Sequence, residues 1–120
     1  MSTTIVKSIS FESAHWLPNT PINHKCHKMH GHSYICEIHV SGEVQKNHGW
    51  ICDFAEISEA FAPLHALLDH QILNEIAGLE NPTAENIAKW VWDKLYDNVK
   101  GLSTIVIHET PYSRCIYTGP

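Results

Sequence analysis

The chain is short of positive charge, of paired cysteines and of long apolar runs, and each shortage removes a class of function. Eight Lys and Arg stand against thirteen Asp and Glu, for a net charge of −5 with histidine neutral. No basic stripe gathers anywhere, so nucleic acid is not an expected partner. The four cysteines, Cys26, Cys36, Cys52 and Cys115, form no Cys-x-x-Cys and share no regular spacing. The opening Met-Ser-Thr-Thr-Ile-Val-Lys has no charged lead followed by an apolar run, so no secretory leader is expected. A cytoplasmic chain with free thiols is the reading that follows. No apolar stretch approaches the roughly 20 residues that cross a bilayer, which removes the membrane as a partner. With 120 residues, 43% apolar and 18% charged, and no repeat or linker, one domain over residues 1–120 is expected.

What the chain does have is histidine, ten in all. Three of them are placed to act together. The segment Cys26-His-Lys-Met-His30-Gly-His32 follows an isolated His15. Residues two apart on a strand point the same way, so His30 and His32 share a face. A third imidazole from a neighbouring strand would complete a three-nitrogen site. Three protein ligands with one position open is how a catalytic zinc is held. The plain alternative is that a chain rich in histidine shows a His-x-His pair by chance. Gly31 between the two favours close approach of a ligand or a backbone.

Residues 3–15 alternate, with Ile5, Ile9 and Phe11 on one face, and predict a strand. Residues 30–44 predict a second, in which Tyr34, Cys36, Ile38 and Val40 continue the row of His30 and His32. The stretch 17–29, with two prolines, reads as a loop, and 46–49 as a turn. Asp53 followed by Glu56 resembles a capping box. Ile57, Ala60, Phe61, Leu64 and Leu68 then recur at helical spacing, with Pro63 expected to kink or split the helix. Thr83 reads as the N-cap of a second helix carrying Ala84, Ile87, Ala88, Val91 and Leu95. Gly101 marks its exit, and strands are expected over 103–110 and 114–118. The order β-β-α-α-β-β predicts an α+β fold: a four-stranded antiparallel sheet with two helices on one face.

Several other residues admit a chemical and a bland reading. Cys26 is flanked by Lys25, His27 and Lys28, whose charge favours the thiolate; it is otherwise a surface thiol or a fourth zinc ligand. Asp69 beside His70 has the makings of a proton relay. Neighbouring side chains rarely bond each other, however, and a histidine at a helix C-terminus also suits the dipole. Glu109 ends an apolar strand, where its carboxylate could clamp a flat heterocycle through two parallel bonds; it is otherwise a solvated strand end. Glu85 reads as a first-turn acid.

Phe11-Glu-Ser-Ala-His15, Cys26-x-x-x-His30-Gly-His32, Gly49-Trp-Ile-Cys-Asp53-Phe, Leu68-Asp69-His70, Asn81-Pro-Thr83-Ala-Glu85-Asn and Glu109-Thr follow one another over nearly the whole chain. In that order they resemble the 6-pyruvoyltetrahydropterin synthase family, and within it the carboxy-forming branch of bacterial queuosine biosynthesis. The resemblance implies the tunnelling fold (T-fold) and a hexamer built as a dimer of trimers. It implies Zn2+ bound by His15, His30 and His32, with Cys26 as catalytic base and Asp69 and His70 as relay. Glu109 would anchor the pterin, with Thr83 nearby. The implied reaction converts 7,8-dihydroneopterin triphosphate to 6-carboxy-5,6,7,8-tetrahydropterin, acetaldehyde and triphosphate, with Lys25, Lys28 or Arg114 meeting the triphosphate. The short gap from Cys26 to His30 favours this branch over the pyruvoyl-forming synthases, whose cysteine lies further upstream. A third branch carries a glutamate near the cysteine position, which this chain lacks. A non-catalytic zinc-binding protein is the alternative of another class.

Overall fold

In a computed structural model, residues 3–120 are described; Met1 and Ser2, which open both the expected 1–120 span and the segment read as leaderless, lie outside the described residues. The elements are β1 (Thr3–His15), β2 (His30–Gly42), α1 (Phe54–Leu68), β3 (Gln71–Ile72), α2 (Ala84–Leu95), β4 (Leu102–Thr110) and β5 (Ser113–Tyr117). Among the described residues no helix is long and apolar enough to cross a membrane.

The long strands follow from alternation. Along β1, Phe11, Ser13 and His15 are buried while Glu12 is exposed; along β2, Tyr34, Cys36, Ile38 and Val40 are buried. The two strands pair antiparallel in a register that sets Phe11 opposite Tyr34 and His15 opposite His30. β4 pairs antiparallel with β2 and β5 with β4. Both helices lay their apolar stripes on the same face. Ile57, Phe61, Leu64 and Leu68 of α1 and Ile87, Ala88, Val91 and Leu95 of α2 join Phe11, Cys36, Ile38, Ile105 and Ile107 in one core. Asp53 caps α1 by accepting the Ala55 N–H at 3.0 Å, and Thr83 caps α2 by accepting the Asn86 N–H at 3.1 Å. Each such cap is worth about 1 kcal/mol.

Two expectations are corrected. The sheet has five strands in the order β3-β1-β2-β4-β5, and it is mixed, because Gln71 and Ile72 run parallel to Ser13 and Ala14. The cause lies at the end of α1. His70 takes a left-handed backbone, φ 57°, which turns the chain back along β1 after a single residue. A strand of two residues carries no periodicity, so the pattern of apolar residues could not announce it. The second correction is that Pro63 does not split α1, which continues from Phe54 to Leu68. Proline removes the bond to the residue four back, here Glu59, and both positions are exposed, so water can serve the freed carbonyl.

The face of the sheet away from the helices carries a charged cluster that sequence reading missed. Glu37 accepts from His39 Nε2 at 2.8 Å and from His108 Nε2 at 2.6 Å. The hydrogen bond from His39, then that from His108, holds the Glu37 carboxyl below the usual carboxylate range. A carboxyl depressed in the folded state stabilises fully above its unfolded value of about 4.3, and that contribution is lost as pH falls through the lower folded value. Wild type is therefore expected to melt a few degrees above Glu37→Gln at pH 7, with the gap closing below about pH 4. Melting curves of the two proteins with identical pH slopes would contradict this.

Candidate metal centre

Strand pairing assembles the three histidines. His15 ends β1, His30 and His32 begin β2, and the register places His30 directly across from His15. One ring nitrogen from each lies within 4.8 Å of the others. The rings stand edge-on, with centroids 4.6 Å apart for His15 and His30, 5.1 Å for His15 and His32, and 5.0 Å for His30 and His32. Edge-on rings aim their nitrogens at a common point rather than stacking.

The tautomers follow from the neighbours. His15 Nδ1 lies 2.8 Å from the Pro82 carbonyl and His30 Nδ1 lies 2.7 Å from the Lys28 carbonyl. A carbonyl only accepts, so both Nδ1 atoms carry the proton and both Nε2 atoms keep a lone pair. His32 Nε2 is the one buried side-chain nitrogen or oxygen among the described residues without a hydrogen-bond partner. Leaving such an atom unpaired costs about 1–3 kcal/mol. Burial pushes both His15 and His32 below the ordinary imidazole value, with Pro82 opposing at His15 and Glu109 opposing at both. Neutral imidazoles with free, converging lone pairs are what a divalent cation needs. The donor set fits a metal ion, and the orphaned nitrogen is the clearest mark of it.

The remaining candidates fall around this cluster. Cys26 sits in a single 3-10 turn, Lys25–His27. Its carbonyl accepts the Leu17 N–H at 2.8 Å, which ties the loop to the chain just past His15. Its sulfur is not among the ligand atoms that converge. Glu109 Oε1 stands 3.6 Å from His32 Nε2, beyond hydrogen-bond reach, and borders a shallow depression with Glu85 and Arg114. Thr83 is engaged as the α2 cap, one residue beyond the carbonyl that holds His15.

Asp69 and His70 do bond each other, contrary to the expectation for adjacent side chains. His70 Nδ1 lies 2.9 Å from Asp69 Oδ2, and the left-handed turn at His70 is what folds the two together. Asp69 Oδ1 also accepts the Glu12 N–H at 2.8 Å. That bond and the one from His70 hold the Asp69 carboxyl down, while Asp69 raises His70. The His70 side chain is 78% exposed. It borders an open depression of about 500 Å³ with Glu12, Ser13, Ala14, Gly31, His32 and Ser33. Among the described residues no hydrogen bond or ion pair joins Asp69 or His70 to the three imidazoles.

Sequence reading missed Tyr34, which lies fully buried beneath the cluster, and it missed the Pro82 carbonyl. Tyr34 was legible only as the next member of the inward row. A main-chain acceptor has no residue-type signature at all.

The sequence matches the family described as 6-pyruvoyl tetrahydropterin synthase over residues 4–120. It is 38% identical over 122 residues to the 6-carboxy-5,6,7,8-tetrahydropterin synthase of Synechocystis sp., an alignment covering 97% of this chain and 93% of that protein. It is 33% identical over 101 residues to the dihydroneopterin monophosphate aldolase of Pyrococcus furiosus, covering 84% and 82%. Its fold is similar to that of Caenorhabditis elegans 6-pyruvoyl tetrahydropterin synthase, with a TM-score of 0.91 at 25% identity, covering 100% of this chain and 97% of that one.

Proposed function

The chain belongs to the 6-pyruvoyl tetrahydropterin synthase family, and from that premise we propose that it is a zinc-dependent lyase of the carboxy-forming branch. Its substrate is 7,8-dihydroneopterin triphosphate, and its products are 6-carboxy-5,6,7,8-tetrahydropterin, acetaldehyde and triphosphate, as in queuosine biosynthesis. The observations that carry the reading are the convergence of one ring nitrogen each from His15, His30 and His32 and the buried Nε2 of His32 left without a hydrogen bond. The likeness to the Synechocystis enzyme over nearly the whole of both chains supports the choice of branch.

His15, His30 and His32 would hold Zn2+, His15 and His30 through the Nε2 atoms that their Nδ1 bonds leave available. Bound there, the ion would supply Lewis acidity, which would acidify a C–H of the substrate side chain. Cys26 takes that proton as a thiolate base; its sulfur lies outside the converging nitrogens, which favours the role of base over that of ligand. Glu109 holds the N–H edge of the pterin by paired, charge-assisted bonds, with Thr83 beside it. Asp69 keeps the His70 proton on Nδ1 and orients the ring, leaving Nε2 to pass a proton.

The relay is supplied by a second copy, since among the described residues of one chain neither Asp69 nor His70 bonds any of the three imidazoles. Most of β1 has no partner strand on its outer side, since β3 covers only Ser13 and Ala14, and β5 ends the other side of the sheet. Copies joined edge to edge close these open rims. A hexamer made of two stacked trimers, working in the cytoplasm on a small-molecule substrate without nucleic acid or membrane, completes the proposal.

The test is product analysis. Zinc-loaded protein incubated with 7,8-dihydroneopterin triphosphate is expected to release acetaldehyde and a product with the mass of 6-carboxytetrahydropterin. A pyruvoyl product without acetaldehyde, or cleavage of dihydroneopterin monophosphate alone, would place the chain in another branch. No turnover of any pterin, with the metal retained, would leave a non-catalytic zinc protein.

A further inference from the structure

Resting on the reading of His15, His30 and His32 as a metal centre, we propose that Tyr34 is a positioning residue for it: the buried hydroxyl, with the Pro82 carbonyl, fixes the tautomer and the ring orientation of His15.

Tyr34 has 0% of its surface exposed. Its ring stacks on Phe11 with centroids 5.0 Å apart and planes 7° from parallel. It meets two ligand rings edge-on, His15 at 5.9 Å and 90°, His32 at 5.4 Å and 78°. Phe11 thus sets the phenol, and the phenol sets what lies above it. The Tyr34 hydroxyl is 3.2 Å from His15 Nδ1 and 3.4 Å from Nε2. Two such similar distances put the oxygen against the imidazole, where it blocks rotation of the ring.

The proton sits on Nδ1, because the Pro82 oxygen 2.8 Å away can only accept it. The Tyr34 oxygen is then within reach of the same N–H as a second acceptor, and its own O–H faces His15 Nε2 at 3.4 Å until a metal takes that lone pair. A phenol hydroxyl is neutral near pH 7, so Tyr34 adds no charge beneath the metal. Partners of this kind raise ligand basicity and hold the ring, and losing one typically costs 10–100-fold in metal affinity.

Pro82 immediately precedes the Thr83 cap of α2. The carbonyl that grips His15 and the hydroxyl proposed to lie beside the pterin are therefore joined through a single peptide, which links the metal centre to the start of that helix.

A tyrosine serving only to fill the core makes a different prediction. Tyr34→Phe keeps the ring, the volume and the stack on Phe11, and it removes only the hydroxyl. If packing were the whole role, the variant would bind metal as wild type does. The experiment is competition for Zn2+ against a chromophoric chelator, with the visible spectrum of the Co2+-loaded protein and the melting temperature of the metal-free protein as further readouts. Tyr34→Phe is expected to bind Zn2+ at least about 10-fold more weakly, with a shifted Co2+ spectrum and a metal-free melting temperature near that of wild type. Affinity within twofold of wild type in a folded Tyr34→Phe overturns the proposal and leaves the metal centre standing. Failure of wild type itself to bind Zn2+ or Co2+ overturns the metal centre, and this inference with it. Should Tyr34→Phe not fold, wild-type sequence labelled with fluorotyrosine, whose more acidic hydroxyl alters the hydrogen bond, decides: a shifted His15 15N resonance together with a changed Zn2+ affinity is expected, and both unchanged overturn the proposal.

Discussion

His32→Ala is expected to abolish tight zinc binding and, with it, turnover. The imidazole is one of three donors, and its Nε2 is the buried atom that nothing else in the described chain satisfies. Removing a direct ligand must cost more than the ~100-fold attributed to outer partners. Metal content after dialysis should fall from about one ion per chain to near zero. The effect on stability separates a ligand from a structural histidine. At a free zinc concentration 100 times the dissociation constant, wild type gains about 2.7 kcal/mol, and its melting temperature rises accordingly; His32→Ala should gain nothing. The metal-free variant should still fold, since the substitution also removes an unpaired buried acceptor. A variant that keeps one zinc per chain would show that the ion sits elsewhere.

The second large effect is expected at Cys26. Cys26→Ala should lower kcat by about 10²–10⁴, the range for loss of a positioned acid or base, while zinc stays bound at wild-type stoichiometry. The position of the residue is what separates the two readings of this thiol. Cys26 is fixed by its turn and by the Leu17 N–H, yet its sulfur is not among the converging ligand atoms. Cys26→Ser should be nearly as slow, because a hydroxyl is a far weaker base near neutrality. Loss of zinc together with activity in Cys26→Ala would make the thiol a fourth ligand, close the coordination sphere, and remove the base from the mechanism.

Much of this was legible before any coordinates, for reasons particular to each element. The inward row His30, His32, Tyr34, Cys36, Ile38, Val40 announces a half-buried strand, because strand geometry forces every second residue to the same face. Asp53 and Thr83 announce helix starts because their side chains answer orphan N–H groups. Once His15 was placed at the end of the first strand, pairing with the second was enough to bring three imidazoles together.

What was not legible depends on backbone or on contacts distant in sequence. β3 exists because His70 adopts a left-handed backbone, and nothing in a two-residue strand advertises it. The same turn bonds Asp69 to His70, which the rule for adjacent side chains argued against. Pro63 does not split its helix, since an exposed carbonyl can turn to water instead. The Glu37 cluster needs His108 from a strand 71 residues away.

X-ray absorption at the zinc edge, on protein loaded with one equivalent of Zn2+, tests the central claim most directly. The account predicts a first shell of three imidazole nitrogens at about 2.0–2.1 Å and one light, exchangeable atom, with no sulfur. A zinc–sulfur distance of about 2.3 Å, or a shell with fewer than three imidazoles, would contradict it.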